Sequence, residues 1–164
     1  MAFFPIPDLL IGSIFDLEPQ RLNDLGIKLL LMDLDNTLAT YSAMEPSDEV
    51  RAWVQALREA GIEPFIFSNA HGARVTDFAA SLGVDCIETA RKPKTVRLKE
   101  LLNSKGIKPE DCAIIGDQVY TDILCGVNGG ILTIAVKPIS LSNPLFFLRY
   151  IAEMPFRLPA MGRH

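Results

Sequence analysis

The sequence is poor in cysteine and histidine. Its three cysteines, Cys86, Cys112 and Cys125, include no pair with C-x-x-C spacing. An odd number of unpaired cysteines argues against a disulfide framework and is typical of free thiols in a reducing compartment. The two histidines are His71 and His164, so a reaction that needs no histidine suits this chain best.

The sequence also lacks long apolar runs and basic stripes. No stretch approaches the roughly 18 uncharged apolar residues that a membrane-spanning helix needs. The start, MAFFPIPDLLIGSIFD, has no basic segment ahead of its apolar part, which argues against a signal peptide. A net charge of −4 without a basic stripe argues against nucleic acid as a partner. We therefore expect one cytoplasmic domain spanning residues 1–164.

Apolar segments that resemble strands alternate with segments that resemble helices. This alternation predicts an α/β protein, a Rossmann-like three-layer α/β/α arrangement around a mostly parallel sheet of about five strands. The strand-like segments are KLLLMD, EPFIF, VDCIE, DCAIIGD and ILTIAV, and the predicted helices cover residues 46–60, 71–82, 94–105 and 120–127.

The apolar run KLLLM leads directly into Asp33-Leu34-Asp35-Asn36-Thr37. An uninterrupted apolar run is typical of a central strand that is buried on both faces. In open α/β sheets, ligands bind beyond the carboxyl ends of the strands, where this strand would deliver both aspartates. The motif alone could also be a strand followed by an Asp/Asn turn, so partner residues elsewhere in the chain decide its interpretation.

Such partners follow the other strand-like segments. They are Ser68-Asn69, Lys92, and Asp117 with Asp122, and all are expected at the same edge of the sheet. Carboxylates are the hard oxygen ligands that suit Mg²⁺. Together with an ammonium and a hydroxyl group, such a metal could hold a phosphoryl group during its transfer.

The spacing of the first two aspartates suits a two-step phosphoryl transfer. A carboxylate can attack phosphorus to give an aspartyl-phosphate. A second carboxylate two residues further along is well placed to protonate the leaving group and then to activate water. The reaction would need no histidine.

These residues resemble the four motifs of the haloacid dehalogenase superfamily of phosphatases. The matching segments are DLDNT (33–37), FSNA (67–70), the lysine of RKPK, Lys92, and GDQVYTD (116–122). The order of the motifs, with helices and strands between them, makes the resemblance specific.

The resemblance implies a role for each matching residue and Mg²⁺ as the cofactor. Asp33 would be the nucleophile and a metal ligand, and Asp35 the acid/base and a metal ligand through its backbone carbonyl. Lys92 would supply the positive charge that holds nucleophile and phosphate, and the hydroxyls of Thr37 and Ser68 would bind phosphate. Asp117 would be a metal ligand, with Asp122 as its outer-shell partner.

The distances between the motifs leave no room for a cap domain. Residues 38–67 and residues 70–91 each accommodate one helix and one short strand. Without a cap, the site cannot enclose a small sugar phosphate and exclude water in that way. We therefore expect a bulky phosphorylated substrate: a phosphoprotein, a nucleic-acid end or a lipid head group at a membrane.

The finer pattern is similar to the YqeG family, which is related to phosphatidylglycerophosphate phosphatases. Its elements, across residues 8–137, are GIK before DLDNTL, SNA followed by Arg74, ARKP, and GDQ-x-x-TD. The resemblance implies dephosphorylation of phosphatidylglycerophosphate, with Asn69 and Arg74 as further substrate-binding residues. Arg74 could contact a second phosphate or glycerol, or be a surface arginine. A soluble phosphatase for phosphoproteins or nucleotide-like phosphates and a non-catalytic interaction module are the alternatives.

An apolar tail follows at about 138–164. Asn143 and Pro144 predict a helix start, as cap and first helical residue, and the following LFFLRYIAEM is apolar nearly all round. From residue 137 onward four basic residues accompany one acidic residue, a net charge of +3. We expect the segment 143–164 to pack on its own domain or to form a homodimer interface. Alternatively, both termini of the chain make peripheral contact with the inner face of the membrane.

Overall fold

The structure is a computed structural model that describes residues 4–163. Residues 1–3 and His164, which belong to the predicted domain and its termini, lie outside the described residues. A six-stranded parallel sheet in the order β1-β6-β5-β2-β3-β4 forms the centre. The strands are β1 (Leu9–Ile11), β2 (Leu29–Met32), β3 (Glu63–Phe67), β4 (Asp85–Ile87), β5 (Cys112–Gly116) and β6 (Leu132–Val136).

The sheet confirms the predicted α/β class and adds one strand to the expected set of about five. The added strand is β1, which pairs in parallel with β6 at one edge of the sheet. With three residues, it is too short for its apolar pattern to be distinguished from a loop. The other five strands coincide with the predicted strand segments.

Seven α-helices flank the sheet in the described chain, and the predicted helices agree with them to within a few residues. Left-handed glycines end three of these helices, Gly83 at φ 66°, Gly106 at φ 63° and Gly130 at φ 70°. The helices are α1 (Pro19–Asp24), α2 (Asp48–Glu59), α3 (Ala73–Leu82), α4 (Val96–Lys105), α5 (Leu124–Gly129), α6 (Pro144–Ala152) and α7 (Met154–Arg157).

Strand β2 is buried on both faces, as its uninterrupted apolar run predicts. Leu30 and Met32 belong to the core cluster on the side of α2 and α3, whereas Leu29 and Leu31 belong to the cluster on the side of α4. All four side chains are fully buried. The alternation places one helical layer on each side of the sheet and gives the three-layer arrangement.

The chain reverses its direction of sheet growth at β2. Strands β3 and β4 extend the sheet on one side of β2, and β5 and β6 extend it on the other. This switch point creates a crevice beyond the carboxyl end of β2. Within described residues 38–91, the two intervals between the first three motifs hold only α2 with β3 and α3 with β4, so neither contains a cap domain.

The tail begins as predicted and is attached to the sheet by a buried ion pair. The Asn143 side chain caps α6 by accepting a hydrogen bond from the Leu145 amide. Beyond α6, Glu153 accepts hydrogen bonds from Arg157 at 3.1 Å and from the Val119 amide at 2.9 Å. Arg157 donates to the carbonyls of Val136 and Asp117. The end of the tail therefore packs on the carboxyl edge of its own sheet.

The lengths of the described helices bear on whether the chain could cross a membrane. No helix within residues 4–163 has the length and apolar character that are needed to cross a bilayer.

Replacing Glu153 by alanine is expected to destabilise the protein strongly. The change would leave the Arg157 guanidinium buried without its carboxylate, which typically costs about 3–5 kcal/mol. Lys28→Ala is the control, because Lys28 pairs with Asp111 at the surface and its side chain is 66% exposed, where such a pair contributes at most about 1 kcal/mol. Urea unfolding monitored through Trp53 fluorescence measures both. Equal losses in the two variants would contradict the structural role given to the buried pair.

Candidate active site

Three buried carboxylates lie together at the carboxyl edge of the sheet. Asp33 follows β2 and Asp117 follows β5, while Asp122 lies in the π-helical turn Val119–Ile123. Each contributes a carboxylate oxygen to a cluster whose atoms lie within 4.8 Å of one another. The adjacent strands β2 and β5 therefore bring together aspartates that are 84 or more positions apart in sequence.

Lys92 neutralises part of this negative charge. Its Nζ donates to Asp33 Oδ1 at 2.9 Å, to Asp122 Oδ1 at 2.6 Å and to the Phe67 carbonyl at 2.7 Å. Burial lowers the pKa of the ammonium, but the carboxylates of Asp122 and Asp33 raise it more, and the net shift is upward. Lys92 therefore carries a fixed positive charge beside Asp33.

The second motif holds Lys92 from the backbone side. The Asn69 side chain accepts a hydrogen bond from the Lys92 amide at 2.8 Å and donates one to the Lys92 carbonyl at 3.0 Å. Ser68 is buried, and its hydroxyl accepts a hydrogen bond from the Ala70 amide at 3.1 Å. Contact of Ser68 or Asn69 with substrate stays a prediction.

Thr37 lies between two members of the acidic cluster. Its hydroxyl oxygen is 3.2 Å from Asp117 Oδ1 and 3.5 Å from Asp33 Oδ2. The hydroxyl has one proton, so it donates to one carboxylate at a time. Thr37 thus links the first and fourth motifs, and its predicted contact with phosphate remains untested.

Asp122 fits against a glycine that precedes the fourth-motif aspartate. A Cβ atom at Gly116 would lie 2.2 Å from the Asp122 Cγ and Oδ2 atoms. Any larger residue would displace the carboxylate, which also accepts a hydrogen bond from the Gln118 amide at 3.1 Å. The small residue at 116 is therefore a condition for the contact between Asp122 and Lys92.

The cluster has more negative charge than Lys92 balances. Burial, and after it the charges of Asp33 and Asp122, raise the pKa of the Asp117 carboxyl well above its usual range. Burial and Asp33 raise the pKa of Asp122 to about 7, although Lys92 lowers it. Within residues 4–163, buried Asp117 Oδ2 has no hydrogen-bond partner. A carboxylate oxygen that accepts no hydrogen bond, in a buried acidic triad, fits a metal ion with a preference for hard oxygen ligands.

Asp35 pairs with Arg74 and is not a member of this cluster of three carboxylates. Arg74 Nη1 donates to Asp35 Oδ1 at 2.6 Å, and the same guanidinium donates to the carbonyls of Ala43 and Thr40, each at 2.9 Å. Burial raises the pKa of Asp35, an effect that Arg74 partly offsets. The contact of the Asp35 backbone carbonyl with a metal stays a prediction. The contact of Arg74 with substrate also stays a prediction.

The tail brings residues near the site that the sequence motifs do not include. Asn36, buried at φ 63°, exchanges two hydrogen bonds with the backbone of Ser140, at 2.8 and 2.9 Å. Tyr41 stacks on Phe146 of α6 with ring centroids 4.9 Å apart. These contacts hold the start of the tail against the loop that follows Asp35.

Arg149 is the charged residue that α6 presents toward the cluster. Its guanidinium lies 3.8 Å from Asp117 Oδ2 and 5.1 Å from the centre of the Phe146 ring. The sequence contained one signal for this placement, because Arg149 and Glu153 are four residues apart in an otherwise apolar segment. That pattern indicates a polar side of the helix but not what this side contacts.

The sequence matches the profile of the haloacid dehalogenase-like hydrolase family over residues 16–130. It is 34% identical over 155 residues to "Probable phosphatase YqeG" of Bacillus subtilis, covering 94% of this chain and 90% of that protein. It is 28% identical over 150 residues to "Phosphatidylglycerophosphate phosphatase 1, chloroplastic" of Chlamydomonas reinhardtii, covering 86% of this chain. The chain spans 56% of the length of that relative.

The fold is also that of a solved phosphatase structure. The 3-deoxy-D-manno-octulosonate 8-phosphate phosphatase of Moraxella catarrhalis, whose crystal structure holds magnesium ion, phosphate ion and KDO, superposes with a TM-score of 0.54 at 20% identity. The match covers 88% of this chain and 95% of that one. The family profile, the similarity to YqeG and the shared fold agree with the arrangement of the four motifs. The chain therefore belongs to the haloacid dehalogenase-like hydrolases, as a phosphatase of the YqeG family.

Proposed function

We propose that this phosphatase converts phosphatidylglycerophosphate to phosphatidylglycerol at the cytoplasmic face of a membrane, with Mg²⁺ and through an aspartyl-phosphate on Asp33. The observation that carries the reaction type is the contact between Lys92 and Asp33 beyond the carboxyl end of β2. Lys92 holds Asp33 Oδ1 at 2.9 Å, whereas Oδ2 has a longer contact of 3.5 Å with the Thr37 hydroxyl, so Oδ2 is the oxygen that would attack phosphorus.

The first step transfers the phosphoryl group to the enzyme. Asp33 Oδ2 attacks phosphorus, the bond from phosphorus to the glycerol oxygen breaks, and the departing oxygen takes a proton from Asp35. In the second step a water molecule attacks the same phosphorus and gives a proton to Asp35. The acyl-phosphate bond breaks, so that inorganic phosphate leaves and the Asp33 carboxylate is restored.

Mg²⁺ held by Asp33, Asp117 and the Asp35 carbonyl would supply positive charge to the phosphoryl oxygens. Lys92 adds a second positive charge on the Asp33 side, and the hydroxyls of Thr37 and Ser68 are available as donors. Asp122 orients the Lys92 ammonium from the other side at 2.6 Å. Its role is to position Lys92, and Asn69 has the same role through the Lys92 backbone.

Two features support a lipid phosphate as the substrate. The crevice has no cap in the described chain, so the body of the substrate or the surface that carries it must cover the reacting group. The relatives from Chlamydomonas reinhardtii and Arabidopsis thaliana, of which the chain spans 56% and 47%, are both named as phosphatidylglycerophosphate phosphatases.

Phosphate release with Mg²⁺ is expected to be strongest with phosphatidylglycerophosphate in mixed micelles, compared with soluble phosphomonoesters. Asp33→Asn should lower turnover by about 10³-fold or more, because it removes the nucleophile. Asp77→Asn, an exposed aspartate of α3, is the matched control and should keep full activity. Turnover of soluble esters alone would contradict the lipid assignment, and equal activity of Asp33→Asn and the wild type would contradict the mechanism.

Mg²⁺ is expected to raise the thermal stability of the wild type but not that of Asp117→Asn. A metal that binds only the folded state stabilises it by about 2.7 kcal/mol at 100 times its Kd. Without metal, Asp117→Asn should be at least as stable as the wild type, because it removes one of three crowded carboxylates. Differential scanning fluorimetry with Mg²⁺ or EDTA tests this, with Asp111→Asn as the surface control. An equal Mg²⁺ shift in Asp117→Asn would rule out Asp117 as a ligand.

Arg74→Gln is expected to move the falling limb of the pH profile of kcat/KM to higher pH. Asp35 acts as an acid only when protonated, so activity falls as pH rises through its pKa. Arg74 lowers that pKa, and its removal therefore raises it. Arg97→Gln, at a surface pair with Glu100, is the control and should leave the profile in place. A shift to lower pH after removal of Arg74 would contradict the role of Asp35.

A further inference from the structure

The outward surface of α6 carries only apolar side chains. The exposed residues of this helix are Pro144, Leu145, Phe147, Leu148, Ile151 and Ala152. Leu145 is 73% exposed and Leu148 is 62% exposed. The opposite side of the helix faces the protein through Phe146 and Arg149. We call the six exposed residues the α6 surface.

The α6 surface is held at the edge of the active site. Glu153, directly after the helix, is buried and bonded to Arg157 and to the Val119 amide. At its other end, the tail is joined to Asn36 through the backbone of Ser140. Both attachments involve loops that carry motif residues, so the α6 surface has a fixed position beside the crevice.

The exposed charge within residues 137–163, the segment that contains α6, is only positive. Within residues 137–163 the one acidic residue is Glu153, and it is buried against Arg157. Lys137 and Arg163 are exposed, and Arg149 is partly exposed. The apolar residues Leu158 and Met161 are also exposed, and they line a cavity together with Lys137 and Tyr150. An apolar helix surface with basic residues near it is complementary to an anionic lipid surface.

We propose that the α6 surface docks on an anionic lipid bilayer, with the helix lying in the plane of the interface. This inference rests on the proposed function, because it brings the crevice to the membrane that contains the lipid phosphate. A second copy of the chain fits less well. A symmetric contact through this surface would bring the exposed basic residues of the two tails together, and described residues 137–163 offer no exposed acid to pair with them.

Vesicle flotation without substrate tests the docking directly. Wild-type protein should float with vesicles of phosphatidylglycerol and phosphatidylcholine, and less with phosphatidylcholine alone. The double variant Leu148→Gln/Ile151→Gln should lose about tenfold or more of the vesicle-bound fraction, because it replaces two exposed apolar side chains that docking would bury by polar ones. Val96→Gln, at a 61% exposed position in α4, should bind like the wild type. Circular dichroism checks that all variants are folded.

Three results would overturn the docking. The first is that the wild type does not float with anionic vesicles, and the second is that the double variant floats equally well. The third is that the wild type is a dimer in analytical ultracentrifugation and the double variant a monomer, while neither protein floats. The last result would identify the α6 surface as a contact between copies of the chain.

Hydrolysis assays distinguish failure of the docking from failure of the proposed function. With short-chain phosphatidylglycerophosphate below its critical micelle concentration, the double variant should match the wild type, since the α6 surface is outside the reacting centre. With the long-chain lipid in vesicles, its turnover should fall with its binding. Flotation without hydrolysis of either lipid would contradict the function alone. Hydrolysis of both lipids by a protein that does not float would contradict the docking alone.

Discussion

The site depends on one buried ammonium group among three buried carboxylates. Lys92 is 5% exposed and Asp122 is 1% exposed, so their charges are stabilised by each other and by hydrogen bonds rather than by water. This requirement explains the surrounding choices of residue. Gly116 leaves space for the Asp122 carboxylate, and the Asn69 amide fixes the backbone of Lys92. The remaining negative charge, which includes an Asp117 oxygen without a hydrogen bond in the described chain, is what makes the cluster suitable for a cation.

A second buried ion pair links the tail to the same loop. Arg157 donates to the carbonyl of Asp117, and Glu153 accepts from the amide of Val119, so both partners bind the backbone on either side of the turn that leads to Asp122. The tail therefore supports the fourth motif, although it lies outside the segment that matches the family profile. Because buried charges tolerate the loss of a partner poorly, the position of the tail and the shape of this loop are coupled.

The sequence predicted the parts of the fold and site that depend on local patterns. The buried run before Asp33 identified β2, and the polar residues after four strands identified the crevice, because parallel strands share one carboxyl edge. It could not predict β1, whose three residues give too little periodicity. Nor could it predict that Arg74 pairs with Asp35 or that Arg157 is buried, because both depend on which distant loops meet. The apolar tail was recognised, but packing decides which side of its helix is exposed.

The missing cap and the exposed tail both bear on how water is excluded from the reacting phosphoryl group. Charges in a crevice act more strongly on a phosphoryl group when water is excluded, because a lower local dielectric increases each interaction. In the described chain, Tyr41 stacks on Phe146 of α6, and Arg149 of the same helix lies 3.8 Å from Asp117. Under the proposed docking, the bilayer that carries the substrate would take the place of a cap. Recruitment and exclusion of water would then result from one contact, which would account for a phosphatase that works without a cap.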